Sequence, residues 1–294
     1  MLKSVLIWVI FLVFSFTLSS QPQVSLDLSG YSIVLGDTLR LDVFTPEEVK
    51  SYGITLGNQN FPLFLKNKTR SGEMHYVSFL AVSRKQFSGI YNLDVNLKFD
   101  RDISFKKNFK IDVSHQKKSE GKVFLSRKKR VLATKKSLLS KESKQILKGF
   151  SYKTKTPYFK KKQFILPIKG KVTSPFAAIR SYSTGSVSSH AGVDISGKIG
   201  KLVRASQAGK VILSYDYDYH GKTVMIDHGF SIVSIYNHLD ERYVEKGDIV
   251  RRGDYIGTLG QTGVATGPHL HWGMAVNNIR VNPLFWVKNK GLID

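Results

Sequence analysis

Cysteine is absent from this chain of 294 residues, which excludes disulfides, thiolate-held zinc or iron–sulfur clusters, a thiol nucleophile and lipid attachment through sulfur. Any metal must therefore be held by histidine and carboxylate. Acidic residues are scarce as well, 22 against 45 lysines and arginines, for a formal net charge of +23. Such a balance asks for a polyanionic neighbour: nucleic acid, anionic lipid or an acidic envelope polymer. No Gly-x-Ser-x-Gly elbow occurs, so the chain offers no obvious covalent nucleophile, and a metal-bound water is the remaining candidate. Beyond residue 20 no apolar run approaches the roughly 20 residues of a membrane span. A hydrophobic content of 41% nevertheless suffices for packed cores, and the length suits two domains.

Residues 1–20 combine Lys3, an apolar run from Val5 to Phe14 and the small polar Ser15, Thr17, Ser19 and Ser20. That order matches an export signal with cleavage near residues 19–21, an uncleaved N-terminal anchor being the alternative. The expected setting is therefore outside the cytoplasm, in the periplasm or cell envelope, which weakens the nucleic-acid reading of the charge. Residues 21–115 carry short β-type runs, such as 39–44 and 91–97, separated by Gly-Asp, Gly-Asn and Ser-Gly turns, and predict an immunoglobulin-like β-sandwich. His75 and His115 stand alone there, and no role is expected for either. Between residues 105 and 162 there are 20 lysines and arginines against Asp112, Glu120 and Glu142, a net of +17. Residues 116–162 read as a basic linker with a helix over 132–149. It is either a solvated tether or an electrostatic contact with an anionic envelope polymer or membrane face.

Residues 163–294 hold six of the eight histidines. In 189–195, Ser-His-Ala-Gly-Val-Asp-Ile, an extended backbone sends His190 and Asp194 to one face and Ala191, Val193 and Ile195 to the other. Residues 268–274, Pro-His-Leu-His-Trp-Gly-Met, place His269 and His271 together opposite Leu270, Trp272 and Met274. The run 230–239 places Tyr236 with His238, opposite Val233, Ile235 and Leu239. A sheet that gathers these strands collects four histidines and one aspartate, which no hydrophobic core requires. Imidazole and carboxylate suit zinc, whose catalytic sites use three protein ligands and keep one position for water. Five candidates exceed three, and the surplus can serve proton transfer or oxyanion stabilisation. Spacing does not say which of His269 and His271 would bind the metal.

At these residues the chain resembles the lysostaphin/LytM-type zinc metalloendopeptidases, which cut peptide cross-links of bacterial peptidoglycan. Matching stretches run in the family's order: Val172-Thr-Ser-Pro-Phe, His190-Ala-Gly-Val-Asp-Ile, Val224-Met-Ile-Asp-His-Gly, Tyr236-Asn-His-Leu, Gly260-Gln-Thr-Gly and Thr266-Gly-Pro-His-Leu-His. The resemblance implies an all-β fold with a C-terminal β-sandwich of duplicated hybrid motif type, and one Zn²⁺ per chain on His190, Asp194 and His271. It implies catalytic roles for His269 and His238, a peptidoglycan substrate and no nucleic-acid partner. Arg180, Thr266, Tyr236 and His228 are left as substrate contacts or supports of the ligands, with a structural role favoured for His228, and His220 reads as an exposed loop residue. The family commonly has glycine where this chain has Ala177. Some relatives lack ligands and only activate other cell-wall hydrolases, so a peptidoglycan-binding regulator is the alternative function; the filled ligand set favours an enzyme. Residues 244–257 are also similar to a biotinyl/lipoyl carrier half-motif, but no modifiable lysine sits at a hairpin tip.

Overall fold

The computed structural model describes residues 23–83, 86–100, 103–115, 119–160, 163–183 and 185–293; the export segment expected over 1–20 lies outside them. Nine strands come first: β1 (Ser25–Leu28), β2 (Ser32–Val34), β3 (Thr38–Thr45), β4 (Ser51–Leu56), β5 (Gln59–Phe61), β6 (Phe64–Lys68), β7 (Met74–Ala81), β8 (Gly89–Lys98) and β9 (Ser104–Ser114). They form two facing sheets, β1-β3-β7-β6 and β2-β9-β8-β4-β5. Alternation drives the packing: Leu93, Val95 and Leu97 of β8 are buried against Leu41, Val43, Ile54 and Ile111, while Asn92, Asp94 and Asn96 face away. Strand β7 departs from that pattern because it is buried on both faces. Tyr76 and Leu80 join this core, whereas Val77, Phe79 and Ala81 join that of the C-terminal part, beside Phe230 and Trp286. His75, for which no role is expected from sequence, is part of the same junction. Its Nε2 lies 2.6 Å from Asp42 Oδ1, Arg40 donates to that carboxylate at 2.6 Å, and Arg40 also reaches the carbonyls of Gly291 and Leu292. A buried carboxylate is tolerated between two cores when a guanidinium and an imidazole both hydrogen-bond it.

The basic segment is built into the fold. Strand β10 (Glu120–Val123) pairs in parallel with β12 (Ile179–Tyr182), and two helices follow, α1 (Arg127–Thr134) and α2 (Lys136–Phe150). The single helix expected over 132–149 is thus two, broken at Lys135, and the solvated-tether reading fails for α2. Glu142, Ile146, Gly149 and Phe150 recur at helical spacing and turn inward. Ile146 and Phe150 pack on Ile212, Met225, Val233, Ile235 and Ala275, and the Arg280 guanidinium lies 3.5 Å over the Phe150 ring. Lys141, Lys144 and Lys148 face solvent, as does Leu147. Among the described residues no helix is long and apolar enough to cross a membrane.

The remainder comprises β11 (Val172–Ser174), β12, β13 (Val187–Ser189), β14 (Val193–Ser196), β15 (Leu202–Arg204), β16 (Gly209–Tyr217), β17 (Gly221–Gly229), β18 (Ile232–Arg242), β19 (Ile249–Val250), β20 (Tyr255–Leu259), β21 (His269–Val276), β22 (Ile279–Val281) and α3 (Pro283–Lys288). Their main sheet runs β11-β14-β21-β18-β17-β16-β19. Ile195, Val224, Ile226, Leu239, Leu270 and Trp272 fill the core beneath it. Helix α3 closes one end, with Pro283 in its first turn and the Asn282 side chain accepting from the Leu284 amide at 3.2 Å. The fold is all-β apart from these short helices.

Candidate metal centre

The sheet order sets β14, β21 and β18 side by side, so the strands that bear Asp194, the pair His269 and His271, and His238 are neighbours. Asp194 sits directly opposite His271, and Ser196 opposite His269. Gly192 permits the close approach: a Cβ there would stand 2.5 Å from the Trp272 carbonyl oxygen and 3.0 Å from His271 Cε1. His190 enters from the turn before β14, locked by reciprocal backbone bonds with residues 177 and 178. That lock holds Ala177 at φ +62°, a left-handed conformation that glycine adopts freely and alanine at a cost of roughly 1 kcal/mol.

Three ligand atoms converge. His190 Nε2 lies 3.0 Å from His271 Nδ1 and 3.1 Å from Asp194 Oδ1, and His271 Nδ1 lies 2.9 Å from the same oxygen. His190 Nδ1 donates to the Pro175 carbonyl at 2.9 Å, which leaves Nε2 with its lone pair toward the cluster. Asp194 Oδ2 is held by Arg180, whose Nη2 also donates to Ser174 Oγ at 2.8 Å. Burial alone would raise the Asp194 carboxyl, but the His190 and His271 imidazoles against it outweigh burial and hold the group ionised, far below the usual carboxylate range. Burial pushes His271 down to about 4 despite the Asp194 hydrogen bond. Neutral imidazole and ionised carboxylate are the forms that bind metal. Two imidazoles and a carboxylate, backed by a carbonyl, a hydroxyl and a guanidinium, fit a divalent ion of zinc's preferences.

Two further imidazoles border this triangle. His269 Nε2 is 3.8 Å from Asp194 Oδ1, and its Nδ1 donates to the Gly267 carbonyl at 2.8 Å. The His238 ring centroid is 4.9 Å from that of His269, and its Nδ1 donates to the Thr262 carbonyl at 2.9 Å. Burial, with His269 and His271 nearby, holds His238 well below the ordinary histidine value. The His238 ring therefore presents an unprotonated Nε2. All five side chains open on a cleft of about 710 Å³, which β10, Arg180, Thr266 and His220 also line.

Tyr236 is not there. Its hydroxyl accepts from the Ser206 amide at 2.8 Å and lies 2.7 Å from Ser206 Oγ, fully buried in the core. Alternation would have kept it with His238, but β18 is irregular between Tyr236 and Leu239 and His238 takes φ +61°. Asn237 and His238 consequently both face the cleft, and Asn237, opposite His271, escapes a period-two reading. His220 also departs from expectation: it is half-buried, with Nδ1 2.8 Å from Glu142 of α2.

His228 lies outside the cleft lining and is fully buried, its Nδ1 donating to the Ala208 carbonyl and its Nε2 accepting from Ser234 Oγ, both at 2.8 Å. Burial drops it from 6.5 to about 4. The unfolded chain therefore takes up this proton first, and stability from the neutral ring is fully present above pH 6.5 and lost as pH falls to 4. The expected loss is about 3 kcal/mol. Denaturant unfolding at pH 7 and pH 4.5 checks it, because His228→Gln should flatten that part of the slope; an unchanged slope would refute the assignment.

An all-β protein whose cleft joins a His-Asp-His cluster to two further histidines has the make-up of a metal hydrolase. Residues 188–283 match peptidase family M23, and this chain carries an M23 domain of the LytM/lysostaphin type. It is 40% identical over 100 residues to the peptidoglycan DD-endopeptidase ShyC of Vibrio cholerae, covering 34% of this chain and 23% of that protein. To a metalloprotease of Haemophilus influenzae it is 37% identical over 124 residues, covering 42% and 26%. The match thus spans about a quarter of these curated relatives. A crystal structure of a candidate M23 peptidase from Pseudomonas aeruginosa superposes with a TM-score of 0.58 at 22% identity, over 82% of this chain and 89% of that one. That likeness is one of fold, and it extends well beyond the matched domain.

Proposed function

We propose that the protein is a zinc endopeptidase of the cell envelope that hydrolyses peptide cross-links of peptidoglycan. The observation that carries this reading is the convergence of His190 Nε2, Asp194 Oδ1 and His271 Nδ1 within 4.8 Å of one another, on a cleft edged by His269 and His238. His190, Asp194 and His271 would hold the ion, which when bound polarises a scissile carbonyl and acidifies a water. His269, fixed through Nδ1 by the Gly267 carbonyl, takes the proton of the attacking water on Nε2 and passes it to the leaving amine. His238 enters the reaction as an acceptor, since its Nδ1 proton is committed to Thr262; it orients the water and becomes an oxyanion donor only after taking a proton. The relatives' names supply the substrate class, and their DD-endopeptidase activity is consistent with this chemistry.

The test is mass spectrometry of soluble fragments released from purified peptidoglycan by the zinc-loaded full chain. Fragments with one cross-link hydrolysed and a new free amine are expected. Release of nothing from a panel of chemically different peptidoglycans, at full zinc loading, would refute the proposal.

A further inference from the structure

Glu142 is a buried acid on a basic helix, and it lies outside the residues that match the peptidase family. It does not touch the metal cluster. Its carboxylate accepts from the Tyr219 amide at 3.0 Å, from the His220 amide at 3.2 Å and from His220 Nδ1 at 2.8 Å. Burial would raise it, but the hydrogen bond from His220 and the two amides hold it below its ordinary value, so it stays ionised. Charge-assisted bonds of this kind are the strong ones and fix geometry.

The turn so clamped carries the cleft's backbone. The His220 carbonyl accepts the His238 amide at 3.2 Å, and the Tyr219 carbonyl accepts the Val264 amide at 2.8 Å. Gly221 and Gly263 pack backbone to backbone, a Cβ on Gly263 falling 2.4 Å from the Gly221 nitrogen. His238 is the residue at φ +61°, a conformation that persists only where its surroundings impose it. Its ring is anchored to Thr262, on the same loop that the turn supports.

We infer that Glu142 is a positioning residue for the active site: helix α2, through the 219–220 turn, holds His238 in the left-handed conformation that aims its imidazole into the cleft. The inference rests on the proposed role of His238. Its physical content is that a segment outside the peptidase match completes the catalytic geometry.

The experiment uses the zinc-loaded full chain. In Glu142→Ala, amide hydrogen exchange at residues 219, 220 and 238 should quicken about 10-fold or more while residues 233–236 keep their protection. Zinc stoichiometry should not change. The kcat on a cross-linked muropeptide should fall roughly 10- to 100-fold, the scale of a small misplacement of a catalytic group, with KM within about twofold. Glu142→Gln, whose amide oxygen still accepts the two backbone amides, should recover most of the loss. In a His238→Ala background, Glu142→Ala should cost less than about twofold more, since both changes act on one group. If Glu142→Ala does not fold, Glu142→Asp, one methylene short, carries the same measurements with smaller shifts in the same direction. Unchanged exchange at 238, or an undiminished loss of kcat in the His238→Ala background, overturns the inference. An inactive wild type would refute the proposed function instead, and the exchange experiment would still decide this point.

Discussion

Alanine at His271 or Asp194 is expected to abolish metal binding and turnover together, in a full chain that otherwise titrates to about one zinc. The three ligand atoms lie 2.9–3.1 Å apart, so removing one leaves two donors and a gap open to water. Asp194→Ala also strips Arg180 of its carboxylate partner. Loss of a hydrogen-bonding support for a ligand typically costs 10- to 100-fold in affinity, and loss of a ligand itself should exceed about 100-fold. Stability supplies an independent readout, because an ion that binds only the folded chain at 1,000 times its Kd contributes about 4 kcal/mol. A chelator should therefore lower the Tm of the wild type and leave that of His271→Ala unmoved. Elemental analysis and competitive titration check the stoichiometry; undiminished zinc affinity in His271→Ala would show that the ligands lie elsewhere.

The second large effect separates ligands from proton carriers. His269→Ala and His238→Ala should each keep zinc and fold while losing activity, roughly 10²- to 10⁴-fold for a general acid–base and about 10²- to 10³-fold for an oxyanion donor. Neither ring belongs to the triangle: His269 Nε2 stands 3.8 Å from Asp194 Oδ1, and the Nδ1 proton of each ring is spent on a backbone carbonyl. KM should change little, because the lost interactions belong to the transition state. Fragment release, zinc content and circular dichroism on each variant decide the matter. Activity surviving His269→Ala would refute the mechanism and spare the fold; loss of zinc from either variant would move that histidine into the ligand set.

The amino-acid sequence by itself determined the elements and the donors. Period-two alternation marks Leu93, Val95 and Leu97 as one buried face and sends Asp194 away from Val193 and Ile195, because strand faces depend only on neighbouring residues; His190, expected on the same extended run, enters instead from the turn before β14. The absence of cysteine confined any metal to imidazole and carboxylate. Tertiary structure decided what depends on distant partners. It turned Tyr236 into the core and His238 and Asn237 into the cleft, through an irregularity and one left-handed residue that no alternation encodes. It buried both faces of β7 because a second core lies against it. It brought Glu142 to a turn 77 residues away and His190 to His271 across 81. A local pattern fixes which way a side chain faces, but which groups meet there is set by chain topology, and only the folded chain brings such separations within hydrogen-bond reach.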